Sequence, residues 1–216
     1  MVKYFFFTVF ILCYCFSNAQ KKYTYKNGDI LFQNLNCGPF CDAINKVTFG
    51  YNNAKFAHVG ILLNDNNKWV VAEAVSRGVV ITDIDTFLNR SLDDSGKPKV
   101  LVGRIKNTTN VKIPTIIDLK PFLNKKYDEV FDINNDKYYC SELVYELFKY
   151  STGEKIFKLA PMTFNDPDTK ELFPIWKSYF DTLKVKIPEG DAGLNPGSIS
   201  RSDLLEIYMP YCKFAE

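Results

Sequence analysis

Three residues of types that act together in nucleophilic catalysis stand out in this chain: His58, Glu73 and Cys140. His58 is the only histidine in the sequence, so any catalysis by a cysteine and a histidine must use it. An imidazole can take the proton of a thiol, and a neighbouring carboxylate fixes the ring tautomer and stabilises the imidazolium. These residue types therefore indicate covalent chemistry at Cys140, provided that the fold brings the three together.

The elements around His58 and Glu73 indicate that these two residues are neighbours. Two runs rich in β-forming residues, Phe56–Leu63 and Trp69–Val75, flank the polar, turn-forming segment Asn64–Asn67. In an antiparallel hairpin with this loop, or with a two-residue turn centred in it, His58 is directly opposite Glu73. Opposed residues share a face of the sheet with Cβ atoms about 5 Å apart, so we predict a hydrogen bond between them.

Cys140 begins the segment with the clearest helical pattern. Leu143, Val144 and Leu147 recur at the spacing of one helical face, and Cys140 falls on that same apolar face. We expect the thiol to point toward the sheet from the first turn of the helix. The N–H groups and dipole of a helix N-terminus favour a thiolate there. A buried inert cysteine is the alternative explanation.

The amino terminus is typical of a secretory signal. Lys3 precedes the apolar run Tyr4–Phe16, which is followed by Ser17-Asn18-Ala19. The run is shorter than the roughly 20 residues that span a bilayer, and its end suits a signal peptidase. We expect residues 1–19 to be removed, without lipidation, and the chain to be periplasmic or extracellular. No second apolar run of membrane-spanning length follows.

Composition and pattern favour one α+β domain over residues 20–216. Lys and Arg number 27 against 25 Asp and Glu and are scattered, which argues against a nucleic-acid partner. No pattern calls for a cofactor, and the oligomeric state is left open. The predicted elements lack regular βαβ alternation, so we expect a mainly antiparallel sheet packed against helices. Further strands are predicted at 29–32, 79–82 and 99–105 and helices at 40–49 and 113–123, while 202–207 is left unassigned.

Five short segments together resemble papain-like cysteine hydrolases of the NlpC superfamily, in the circularly permuted YiiX-like branch. Their order and spacing carry the resemblance, since the histidine strand precedes the cysteine helix. The segments are Gly28-Asp29-Ile30-Leu31-Phe32, Ala57-His58-Val59-Gly60-Ile61, Val71-Ala72-Glu73-Ala74, Lys126-Tyr127-Asp128 and Tyr138-Tyr139-Cys140-Ser141-Glu142-Leu143-Val144.

The resemblance implies a permuted papain-like fold and a role for each matching residue. Cys140 matches the nucleophile, His58 the general base and Glu73 the residue that orients the histidine. Tyr127 resembles a tyrosine that lines the site and helps to bind the oxyanion together with the backbone N–H of Cys140; a structural tyrosine is the alternative. The implied substrates are cell-wall peptides, with peptidoglycan amides preferred, or the acyl groups of lipids.

Two regions match no motif of that family. One is the pair Cys37 and Cys41, for which export permits a disulfide. The other is the stretch Ser151–Leu183. We expect substrate choice to be determined in these two regions. A non-catalytic alternative uses Cys37, Cys41, His58 and Cys140 as the four ligands of a structural zinc ion.

Overall fold

The computed structural model describes residues 23–107 and 109–208, so the expected signal peptide at 1–19 lies outside the described residues. The strands of the main sheet are β1 Ile30–Gln33, β2 His58–Asp65, β3 Lys68–Val75, β4 Gly78–Asp83, β5 Val100–Ile105 and β8 Leu205–Tyr208. Their order is β4-β3-β2-β1-β5-β8, and all neighbours are antiparallel. A second, two-stranded sheet pairs β6 Ala160–Pro161 with β7 Ala192–Gly193.

Helices complete the α+β architecture that the sequence predicts. They are α1 Pro39–Val47, α2 Ile84–Asn89, α3 Ile116–Leu119, α4 Cys140–Thr152, α5 Pro174–Leu183 and α6 Pro196–Ser200, with short 3-10 turns at Tyr51–Asn53 and Lys120–Phe122. The mainly antiparallel sheet packed against helices is therefore confirmed.

The main sheet is covered on both faces because side chains alternate along each strand. One face carries Val59, Ile61 and Ala72, which pack in a single apolar cluster with the buried side of α4. The opposite face carries Leu62 and Val71, which pack in a second cluster with residues of α2. Residues of β2 and β3 are thus held from both sides.

Helix α4 forms where the apolar periodicity predicts it. Leu143, Val144 and Leu147 are fully buried against the sheet. The helix ends at Gly153, whose φ of 76° lies in the left-handed region that glycine adopts without strain. The register of the buried face places Cys140 at the N-terminus of α4, beside the start of β2.

Two sequence-based assignments need correction. The helix expected over Ile113–Leu123 is reduced to α3 and a 3-10 turn, because Pro121 has no N–H to continue the α-helical hydrogen bonds. The unassigned segment near residues 202–207 supplies β8, which pairs with β5. Helices α2, α5 and α6 were not predicted.

No helix within residues 23–107 and 109–208 is both long enough and apolar enough to cross a membrane.

Candidate active site

His58 and Glu73 are in direct contact. His58 is the first residue of β2 and Glu73 lies in the middle of β3. His58 Nε2 is 2.6 Å from Glu73 Oε2, and both side chains are buried. Because Nε2 is held by the carboxylate, Nδ1 is the ring nitrogen left for a second partner.

The register that brings them together differs from the predicted one by two residues. The hairpin turns on Asn66 and Asn67 alone, both with positive φ, and Asp65 pairs with Lys68. Asparagine tolerates the left-handed conformation that such a two-residue turn requires at both positions. Glu73 is therefore a diagonal neighbour of His58 rather than its direct partner. A shift of two residues keeps every side chain on its face, so the contact survives.

Glu73 is clamped by two residues that the sequence analysis did not identify. Arg90 donates from Nη1 to Oε2 at 2.8 Å and from Nη2 to Oε1 at 2.6 Å. Thr82 Oγ1 donates to Oε1 at 2.5 Å. Burial by itself raises the pKa of Glu73, but the hydrogen bonds from Arg90, His58 and Thr82 outweigh it and hold that pKa well below its usual range. Glu73 is therefore an anion when it faces His58.

The sequence held a signal for only one of these two residues. Thr82 pairs with Val71, which lies two residues before Glu73 on the same face of the sheet. Alternation along β4 therefore puts the polar side chain of Thr82 beside Glu73. Arg90 follows α2, a helix that the sequence analysis did not predict, so its position becomes apparent only in three dimensions.

Cys140 is the first residue of α4, and it is buried with 9% of its surface exposed. It lines the same cavity as His58, close enough for its thiol to affect the pKa of that ring. Burial lowers the pKa of His58, but the hydrogen bonds and charges of Cys140 and Glu73 prevail and raise it to about 9. The imidazole of His58 can therefore hold a proton between the Cys140 thiol and the buried carboxylate of Glu73.

Tyr127 lies in the same cavity as His58 and Cys140. Burial, followed by the charge of Cys140, raises the pKa of Tyr127 well above its ordinary value of 10. The phenol stays protonated at neutral pH and keeps its O–H as a hydrogen-bond donor. Tyr127 thus lines the cavity as a hydrogen-bond donor, and its role toward an oxyanion stays a prediction.

Two further buried carboxyl groups surround the N-terminus of α4. Glu142 accepts from the backbone N–H of Tyr139 at 3.2 Å, and burial raises the pKa of Glu142 to about 9. Asp128 accepts from the backbone N–H groups of Val130 and Asp132, which shapes the loop that carries Phe131. Burial also raises the pKa of Asp128.

Cys37 and Cys41 are joined by a disulfide that ties the segment before α1 to the first turn of that helix. Cys140 is a free thiol. A disulfide sulfur is not a thiolate ligand, so this bond removes two of the four ligands that the structural zinc alternative requires.

The fold and the pairing of His58 with Cys140 define a class of enzyme. A cysteine at a helix N-terminus, next to a histidine on an antiparallel sheet, is the arrangement of papain-like enzymes, here with the histidine strand first in the chain.

Comparison with known proteins gives the family. Residues 24–208 match the family described as "Permuted papain-like amidase enzyme, YaeF/YiiX, C92 family". The chain belongs to this family. The expected permuted papain-like, YiiX-like membership is thereby confirmed, as is a hydrolase of the cysteine peptidase and amidase type at the level of the family.

Two proteins from Escherichia coli are similar to this chain. The uncharacterized protein YiiX of strain K12 is 29% identical over 133 residues, which is 61% of this chain and 61% of that protein's length. A crystal structure described as the metalloprotein yiiX of O157:H7 has a TM-score of 0.65 and 22% identity. It covers 86% of this chain and 97% of its own, and the likeness shows the fold.

Proposed function

We propose that the chain is an exported cysteine hydrolase that cleaves an amide or ester bond, with Cys140 as nucleophile. His58 is the general base and general acid, and Glu73 orients it and stabilises its charged form. The observation that carries the proposal is the position of His58, which is 2.6 Å from the buried anion of Glu73 and lines the same cavity as Cys140. The family, one of amidases, supports the reaction type.

The proposed reaction follows from these contacts. His58 Nδ1 takes the proton of the Cys140 thiol, and the thiolate sulfur attacks the carbonyl carbon of the substrate. The tetrahedral intermediate collapses as His58 gives this proton to the leaving nitrogen or oxygen, which leaves a thioester on Cys140. Water, deprotonated by His58, then attacks the thioester and releases the acid, and the free thiol is restored.

The oxyanion of the intermediate has two donors in this proposal. Cys140 is the first residue of α4, so its backbone N–H has no acceptor within the helix and is available to the oxyanion. Tyr127, protonated and in the same cavity, supplies the second hydrogen bond.

The mechanism contains no metal step. The related yiiX structure is described as a metalloprotein. Among residues 23–107 and 109–208 of this chain, no three or more His, Cys, Asp and Glu side chains are grouped to hold a metal ion. His58 already has Glu73 and Cys140 as partners, and Cys37 and Cys41 are bonded to each other. Within the part of the chain that the structure describes, the side chains therefore do not fit a metal site.

Two substrate classes share this triad, and both lie in the cell envelope that an exported enzyme reaches. One is a cell-wall peptide, cleaved at an amide next to a diamino acid. The other is an acyl group of a lipid or of a lipid-modified molecule, for hydrolysis or acyl transfer. Assays of the purified protein on muropeptides and on acyl esters distinguish them.

The proposed roles predict a particular pH dependence. Because the pKa of His58 is raised to about 9, kcat/KM should fall as the pH rises above that value, where the proton needed by the leaving group is lost. His58→Ala should lower kcat/KM by roughly 10²- to 10⁴-fold and remove this limb. Iodoacetamide labelling of Cys140 at pH 6.5 should be at least about tenfold faster in the wild type than in His58→Ala.

Cys140→Ala is the control, and it should abolish both labelling and hydrolysis while leaving the far-ultraviolet circular dichroism unchanged. Labelling of Cys140 that is no faster than that of a free thiol and indifferent to His58→Ala would contradict the mechanism. Loss of the fold in Cys140→Ala would identify a structural cysteine instead.

A further inference from the structure

A cavity of about 240 Å³ opens beside Cys140 and His58. One wall is α1 with the disulfide loop before it, contributed by Phe40, Ile44 and Val47 among others. These elements lie outside the main sheet and come from the region around Cys37 and Cys41 that matches no motif of the family.

Another part of the lining comes from the second region without a family motif. Met162 and Phe164, ahead of α5, and Trp176 in its first turn line this side of the cavity. Both walls therefore belong to the parts of the chain where the sequence analysis expects substrate choice to be determined.

Apart from the His58–Cys140 pair, the described lining carries no counter-charge for an ionic ligand. None of the described residues that line the cavity is Asp, Glu, Lys or Arg. His58 is the titratable side chain with a cationic form, and it is occupied by Glu73. Away from the His58–Cys140 pair, a carboxylate or an ammonium group would lose hydration in this cavity without finding a charged partner, which is strongly unfavourable.

The walls are held in place by packing and by a covalent bond. Phe40 of α1 and Trp176 of α5 pack with ring centroids 4.5 Å apart, and Phe164 lies 5.1 Å from Trp176. The Cys37–Cys41 bond secures the N-terminal end of α1. The cavity is thus preformed, and apolar groups that enter it displace water from apolar surface without first ordering the walls.

We propose that the cavity beside Cys140, lined by α1 and by the segment from Met162 to the first turn of α5, is a subsite for an uncharged aliphatic chain attached to the scissile carbonyl or to its leaving group. This inference rests on the proposed function, because it takes Cys140 as the reacting atom. Of the two proposed substrate classes, such a subsite favours acyl compounds. The charged end of a diamino acid would be excluded from it.

A series of iodoacetamides that share one electrophile tests the subsite without knowledge of the natural bond. The reagents are iodoacetamide and its N-ethyl, N-butyl and N-hexyl derivatives, together with the charged N-(4-aminobutyl) and N-(3-carboxypropyl) forms. The second-order rate constant for alkylating Cys140 is measured for each reagent and divided by its rate constant with free cysteine.

The normalised rate constant should rise by about fourfold for each methylene that becomes buried. The aminobutyl and carboxypropyl reagents should react at least about tenfold more slowly than the butyl one. The ammonium reagent is the sharper comparison, since a thiolate alone would attract it. A rate constant that does not depend on chain length, or that is highest for either charged reagent, overturns the subsite; the ammonium preference would indicate a diamino-acid peptide.

A pair of matched variants locates the effect. Ile44→Lys places a cation in the α1 wall and should reverse the order of the butyl and carboxypropyl reagents. Ile117→Lys makes the same change on α3 at a residue that is 68% exposed and outside the cavity lining, and it should leave the order unchanged. Equal effects of both variants would contradict this location.

Unsubstituted iodoacetamide separates the two proposals. If it labels Cys140 no faster than a free thiol, the proposed catalytic role fails. If labelling is fast and depends on His58 but shows no preference for alkyl chains, the catalytic role stands and the subsite is wrong.

Discussion

Glu73 is held by three side chains, those of His58, Thr82 and Arg90. Its two oxygens receive one hydrogen bond from Thr82, two from Arg90 and a contact from His58, all at a site without solvent exposure. A buried carboxylate of this kind would take up a proton if these partners were removed. The arginine is thus a positioning residue that acts on His58 through Glu73.

Arg90→Met should therefore change the pH profile of the enzyme. Without the guanidinium the pKa of Glu73 rises, so the acid limb of kcat/KM should move to higher pH, and kcat/KM at pH 7 should fall by about tenfold or more. Arg90→Lys should restore part of the activity, and Glu73→Gln should lower kcat without moving KM. The measurement is kcat/KM from pH 4 to 10.

Arg104→Met is the matched control for that experiment. Arg104 also forms a two-bond ion pair with a buried carboxylate, Asp29, at 2.6 and 2.7 Å, but outside the lining of the cavity. Its removal should lower stability and leave the pH profile of kcat/KM in place. A profile shifted equally by both variants would show that Arg90 acts only through stability.

The elements that carry the site differ in how they are held. Strands β2 and β3 sit inside the sheet and are covered on both faces, and α4 buries an entire face against it. Helix α1 has less support, since it lies beside the sheet and packs mainly on the aromatic cluster of α5. The Cys37–Cys41 bond therefore matters most for this helix.

Replacing Cys37 and Cys41 by serine should destabilise the protein by up to about 2 kcal/mol, because the bond closes a short loop whose unfolded-state entropy it restricts. Urea unfolding of the variant and of the wild type, each with and without a reductant, measures the difference. Reductant should lower the stability of the wild type and leave the variant unchanged. Equal stability of wild type and variant under oxidising conditions would contradict this prediction.

At the scale of the whole molecule, the buried carboxyl of Glu142 links stability to pH. Its pKa is raised from 4.5 to about 9 by burial, so the folded state keeps a proton that the unfolded chain releases above pH 4.5. The contribution of Glu142 to the free energy of unfolding therefore falls as the pH rises from about 4.5 toward 9. The raised pKa of His58 affects stability in the same direction over a narrower pH range. Its stabilising contribution is complete below pH 6.5 and is lost as the pH rises through about 9.

Glu142→Gln should remove part of this dependence. The free energy of unfolding of the variant should exceed that of the wild type by on the order of 1 to 3 kcal/mol at pH 8, and this difference should vanish near pH 4. Urea unfolding at several pH values gives the two curves. The same substitution at the exposed Glu154 should have no such effect, and a gain for Glu142→Gln that does not change with pH would show that ionisation is not its cause.

Much of the fold was predictable because it depends on local periodicity. Alternating β-forming residues identified the hairpin that carries His58 and Glu73, and the helical spacing of Leu143, Val144 and Leu147 identified α4 with Cys140 at its start. The shared face of His58 and Glu73 was also predictable, since an error of two residues in register does not change the face.

The tertiary structure decided what no local pattern encodes. Arg90 reaches Glu73 from a segment 17 residues away in sequence. The walls of the cavity come from α1 and α5, which lie far apart in the chain and meet through aromatic side chains whose positions depend on packing. Periodicity shows which face of an element is buried. Which elements bury their faces against one another is a property of the whole chain, and that choice assembled the clamp on Glu73 and the uncharged cavity beside Cys140.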